Sequence, residues 1–151
     1  MYKTILVPLD QSKRAEAIFP HVEELARCND GNVILMHVIE LSSITFDVYG
    51  TQPDLDQIVI SELTRSAEEY MAACEKQFSD KGIKVKTRIV NGPIVDSIIK
   101  TAKEEQVDLI AMASHGRGGL AYVFYGSVAA GILQRADRPL LLIRSMEGHS
   151  R

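Results

Sequence analysis

The densest chemistry in this sequence lies in Met112-Ala113-Ser114-His115-Gly116-Arg117-Gly118-Gly119, followed by a mostly apolar run to Tyr125 and then by Gly126-Ser127-Val128. Glycine lets a backbone turn tightly and bring its N–H groups against a ligand, and a serine opening a helix adds a hydroxyl to that helix's positive end. Such a stretch makes an anion cradle, with the Ser127 hydroxyl and successive N–H groups donating to phosphate oxygens. An ordinary Gly-rich strand-to-helix turn has the same composition, so both readings stand. Arg117 either reaches a phosphate with its guanidinium fork or lies exposed. His115 borders the cradle, but no Asp or Glu neighbours it and no nucleophile motif such as GxSxG appears, so it is expected to be a loop or phosphate-neighbouring residue rather than a catalytic base.

Known phosphate-binding patterns narrow the choice. GxxxxGK[ST] is absent, because no lysine follows these glycines at the required place. Gly116 to Ala121 matches the dinucleotide pattern in its alanine-ending form, but it follows the fourth expected strand and no acid closes the next one. A phosphate-receiver site would need paired acids after strand one and a lysine after strand five, where Asp10 alone and Arg144 stand.

The elements that must hold this segment read as alternating strands and helices. Thr4 to Leu9 is a near-continuous apolar run, the pattern of a buried parallel strand. Ser12 offers a cap to a first helix carrying Ala15, Ile18, Val22 and Ala26, which Asn29-Asp30-Gly31 ends. Asn32 to Val38 is a second buried strand, and Glu40 to Pro53 is a long loop of the kind that tends to be functional. Asp54 to Lys81 reads as a long helix with one apolar stripe of Leu55, Val59, Leu63, Ala67, Tyr70, Cys74 and Phe78, stopped by Gly82. Lys84 to Val90 fits an edge strand. Pro93 takes the first position of a helix that runs to about Gln106. Leu109 to Met112 is strand four, Ser127 to Ala136 a helix, and Pro139 to Ile143 strand five. Strict alternation predicts an open, doubly wound, five-stranded parallel α/β sheet with helices on both faces. Ligands of such sheets bind beyond the carboxyl ends of strands where the strand order reverses, which directs attention to Pro8 to Ser12, to Val38 onward and to Met112 onward.

With 151 residues and 46% of them apolar, the chain supports one compact domain, expected over 1–145 with a tail at 146–151. A net charge of -3, with basic residues only in short interleaved runs, argues against nucleic acid as a partner. No stretch approaches the length of a membrane span and the opening run is too short for a signal peptide, so a cytoplasmic location is expected. Cys28 and Cys74 have no CxxC spacing and are expected to be reduced, core or half-buried thiols. His21 and His37 lie on core-bearing elements and read as structural, and Met36, Met71 and Met112 as core filler.

Both ends of the chain and the cradle together resemble the universal stress proteins, whose nucleotide-binding members carry GxxG, nine residues, then G[ST]. Gly116 and Gly126-Ser127 match, with nine residues from Arg117 to Tyr125 between them. The opening KTILVPLDQS, His37-Val38-Ile39 and the closing RPLLLIRS are also similar to that family. Ala113 departs from it, standing where the pattern has its first glycine. The resemblance implies an adenine nucleotide alpha hydrolase-like fold and an adenine nucleotide, ATP with or without Mg²⁺, as ligand. It further implies that Pro8, Leu9, Asp10 and Val38 enclose the adenosine, that Met112 and Ala113 line it, and that Gly116, Gly126, Ser127 and Val128 hold phosphates. Asp10 can accept hydrogen bonds from ribose or adenine, or instead cap the first helix. A homodimer through the last strand, a regulatory role and an unidentified protein partner follow from the same resemblance. A cyclic nucleotide such as cAMP, slow ATP hydrolysis and a nucleotide-free interaction role remain as alternatives.

Overall fold

The structure, a computed structural model, describes residues 1–40, 53–116 and 126–146. Five strands form one parallel sheet: β1 (Thr4–Pro8), β2 (Asn32–Ile39), β3 (Lys84–Asn91), β4 (Leu109–Gly116) and β5 (Leu140–Met146). Their spatial order is β3-β2-β1-β4-β5, so the chain moves outward from β1 in one direction, then returns across β1 and moves outward in the other. The order therefore reverses between β1 and β4, and a crevice opens there beyond their carboxyl ends.

Among the described residues, four helices cover the two faces. α1 (Phe19–Asn29) and α2 (Pro53–Asp80) lie on one face, α3 (Ile94–Glu104) and α4 (Ser127–Arg135) on the other. The central strands carry apolar residues on both faces because both faces are covered. Ile5 and Val7 of β1 join Phe19, Val22, Met71 and Phe78 in one core, while Leu6 joins Ile98, Ile110 and Ile132 in the other. Phe19 and Phe78 meet edge to face at 5.0 Å, and Lys81 donates to both oxygens of the nearly buried Glu23 at 2.7 and 2.8 Å, which ties α1 to the end of α2.

Several boundaries differ from the sequence reading for identifiable reasons. The first helix is split: Ala15–Ile18 is a 3₁₀ turn, and α1 begins only at Phe19. Pro20 has no N–H to donate, so it belongs in a helix's first turn, and the residues before it tighten into the shorter repeat. Ser12 does cap this unit, its Oγ accepting from the Ala15 N–H at 3.1 Å. Pro93 stands one place earlier than expected, as the extended residue before α3. The apolar stripe of α2 is buried only from Ala67 onward, while Val59 and Leu63 are each 38% exposed. A helix of 28 residues runs about 42 Å and a strand of eight only about 26 Å, so its leading turns project past the sheet. The expected loop from Glu40 onward falls largely in residues 41–52, outside the described residues.

The two thiols differ from their expected common fate. Cys28 is exposed and Cys74 buried. Burial pushes the Cys74 thiol up, and pushes the neighbouring Tyr70 phenol up further, so both stay neutral and packed under Glu16. His21 is exposed rather than structural.

The sheet's outer edges are unlike. On β3, Lys84 pairs with Asp30 at 3.6 Å, and Arg88 with Glu104 and Glu105 at 3.3 and 3.0 Å, and Lys86 also pairs with Glu105. On β5, Leu140 to Ile143 are only half-buried, and among the described residues the strand pairs with β4 alone.

Gly31 matters through space rather than backbone angle. It follows the left-handed Asp30 that ends α1, and a Cβ there would sit 2.9 Å from the Tyr2 carbonyl oxygen and 3.3 Å from that of Lys3. Both are backbone atoms of the chain entering β1, so they cannot swing away. Gly31→Ala is expected to cost about 1–3 kcal/mol, read as a lower urea midpoint. An unchanged midpoint would show that β1 yields.

Candidate functional site

The carboxyl ends of β1, β2 and β4 frame a cleft at the reversal point. β1 contributes Pro8, Leu9 and Asp10; β2 contributes Met36, His37 and Val38; β4 contributes Met112, Ala113 and Ser114. Ile94 and Ile98 of α3 and the first turn of α4, with Gly126, Ser127 and Val128, complete it. Its enclosed volume is about 160 Å³, the size that takes one aromatic ring in an engineered apolar cavity. A ring of that size fits inside, and anything larger must extend through the open side.

The wall from β1 is held at both backbone groups of one residue. The Leu9 N–H donates to the Met36 carbonyl at 2.8 Å, which extends the ladder one residue past β1. His37 Nδ1 lies 2.8 Å from the Leu9 carbonyl. A carbonyl only accepts, so Nδ1 carries the proton and Nε2 accepts from the Gln11 amide at 3.4 Å. Gln11 follows in a left-handed conformation, φ 67°, and accepts from Ser66 of α2 at 3.3 Å. Asp10 is exposed at the rim. Its Oδ1 accepts from the Ser12 N–H at 3.0 Å and from the Ser12 hydroxyl, so it supports the residue that caps the 3₁₀ turn and is not the cap itself.

The α4 side is built for negative charge. Gly126 precedes the helix in extended backbone (φ −58°, ψ 163°), and the Ala130 N–H closes the first turn on its carbonyl at 3.0 Å. The N–H groups of Ser127, Val128 and Ala129 therefore have no partner within the helix, and no acid stands in its first turn to neutralise them. Asp10 is the only acid and there is no lysine or arginine among the described lining residues.

The segment from Met112 to Gly116 is strand, not the start of a turn. Ala113 pairs with Ile143, Ser114 with Arg144, His115 with Ser145 and Gly116 with Met146. Strand four thus ends four residues later than expected, because β5 also continues past Ile143 and supplies a partner. Ala113 consequently has ordinary extended backbone, and its methyl group costs only the space it takes from the cleft wall.

Of the residues singled out in the sequence, Pro8, Leu9, Asp10, Val38, Met112, Ala113, Gly126, Ser127 and Val128 meet at this cleft. His115 and Gly116 close β4, and Arg117, with the rest of 117–125, lies outside the described residues. The sequence reading missed Ser114, Ile94, Ile98 and the double role of His37. Ser114 lay inside the quoted motif, and Gly92-Pro93 marks where α3 starts at the same rim; neither signal reveals which side chains face inward. No group of His, Cys, Asp or Glu suited to a metal occurs among the described residues. No helix among them is long and apolar enough to cross a membrane.

A model of the universal stress protein family matches residues 1–144. The chain belongs to that family. The universal stress protein MJ0577 of Methanocaldococcus jannaschii is 33% identical over 155 residues, spanning 95% of this chain and 96% of its own. The solved structure of MJ0577 superposes with a TM-score of 0.85 over 98% of this universal stress protein and 99% of that chain. UspA from Lactobacillus plantarum shares the fold at a TM-score of 0.79 and 24% identity, over 95% and 98% of the two chains. An Archaeoglobus fulgidus member solved in complex with dAMP shares it at 0.66 and 22%, over 94% and 98%.

Proposed function

We propose that this universal stress protein binds ATP in the cleft between β1 and β4 and works as a homodimeric regulatory module. The observation that carries the reading is the pairing of a ring-sized apolar cleft with the unneutralised start of α4 at its mouth. The base lies between Pro8 and Leu9 on one side and Val38 and Met112 on the other. Asp10, exposed at the rim, accepts from ribose hydroxyls or from an adenine amine. The phosphates leave toward the N–H groups of Ser127 and Val128, where partial positive charge favours them. The dAMP complex belongs to a distant protein and speaks only for the fold.

Mg²⁺, when it accompanies ATP, would be held mainly by phosphate oxygens and water, since the described lining offers one carboxylate. A positioned water and a second acid would be needed for efficient hydrolysis, so binding rather than turnover is the expected activity. Dimerisation is supported by the half-buried Leu140 to Ile143 on β5, the last strand of the sheet among the described residues. A nucleotide-free interaction module is the second reading, and Ala113 in the cleft wall favours it.

Freshly purified protein, denatured and examined by mass spectrometry and ultraviolet absorbance, is expected to release adenine nucleotide. The refolded or emptied protein is expected to bind added ATP, with or without Mg²⁺. Protein that carries none and binds neither ATP nor cAMP would sink the nucleotide reading and leave the interaction module.

A further inference from the structure

A triphosphate brings several negative charges to a cleft whose described lining contains no cation. The sheet register identifies where one stands. Ser114, only 4% exposed and lining the cleft, is the direct partner of Arg144 on β5. Side chains of a strand alternate between faces, and Leu140 and Leu142 pack with the core beneath α3 and α4 while Leu141 and Ile143 pack on the other. Arg144 is next in the first set. Met112 packs in the same core, which puts Ser114 on that face as well. Adjacent strands lie only about 4.8 Å apart. The exposed Arg144 side chain therefore rises beside Ser114, on the face that carries the start of α4 and at the carboxyl rim where the cleft opens.

We infer that Arg144 is a phosphate clamp that makes this site prefer ATP over AMP; the inference rests on the adenine-nucleotide reading above. The α4 N–H groups take the phosphate nearest the ribose. A chain leaving the ring-sized cleft toward β5 brings its outer phosphates to the guanidinium, whose planar fork matches their oxygens in a way a point charge does not. Arg144 already has an interaction within the protein, so the outer phosphates join or displace that partner.

The test is titration of wild-type protein, Arg144→Gln and Arg144→Lys with ATP and with AMP, beside thermal melts of all three. Arg144→Gln is expected to weaken ATP by about 10- to 100-fold and AMP by less than about twofold, with Arg144→Lys in between. Unchanged ATP affinity in Arg144→Gln would overturn the inference, and so would equal losses for ATP and AMP, which mark a structural role. Wild-type protein that binds neither ligand overturns the adenine-nucleotide reading and this inference with it, a result distinct from both of those.

Discussion

Gly126→Val is expected to lose on the order of 100-fold or more in ATP affinity, as removing two hydrogen bonds to charged oxygens would, while keeping its fold. Gly126 stands immediately before α4, where a phosphate must approach the N–H groups of Ser127 and Val128 closely. A branched side chain there occupies the approach. Its backbone angles, φ −58° and ψ 163°, suit any residue, so the substitution carries no conformational strain. Valine is a poorer cap than glycine by about 1 kcal/mol, and a loss of only a few degrees in melting temperature is expected. Isothermal titration beside a melt separates the two effects. Wild-type affinity in a folded Gly126→Val protein would defeat the assignment of the α4 start as the phosphate site.

Phe78→Ala is expected to be the most damaging single change to the fold. Phe78 is fully buried among Phe19, Met71 and the sheet, and its ring is the edge partner of Phe19 at 5.0 Å. Removing it opens a cavity where α1, α2 and the sheet meet, a loss of about 3–5 kcal/mol. For a chain of this size that lowers the melting temperature by roughly 6–20 °C. Phe78→Leu is expected to recover part of the loss. A melt within a degree or two of wild type would mean that the helices close over the gap.

Fold class was legible because runs such as Thr4 to Leu9 and Asn32 to Val38 are apolar on both faces, which only a covered parallel sheet requires. Strand order was not, since nothing in the residues of β4 says that it returns to pair with β1. The limits of β4 were misread because Gly116, Gly118 and Gly119 suggest a turn by composition, whereas pairing with β5 decides the matter and is invisible locally. The split of the first helix was not read, because the spacing of Ala15, Ile18 and Val22 suits one continuous helix and the missing N–H of Pro20 was not weighed against it. At the cleft, the residues at strand ends were foreseeable because the reversal rule points to them. Ile94 and Ser114 were not, because their inward aim depends on how α3 and β5 sit on the sheet.

The contrast between the two sheet edges bears on where a further strand could add. At β3 the alternate positions Lys84, Lys86 and Arg88 each carry a long cation tied to an acid on a neighbouring element, a guard against the docking of another strand. At β5 there is no such guard among the described residues of Leu140 to Ile143. In the dimer proposed above, two copies joined at β5 would present β3 at both outer ends, so strand addition would act as a chain terminator does in a polymer, with no open edge left to extend.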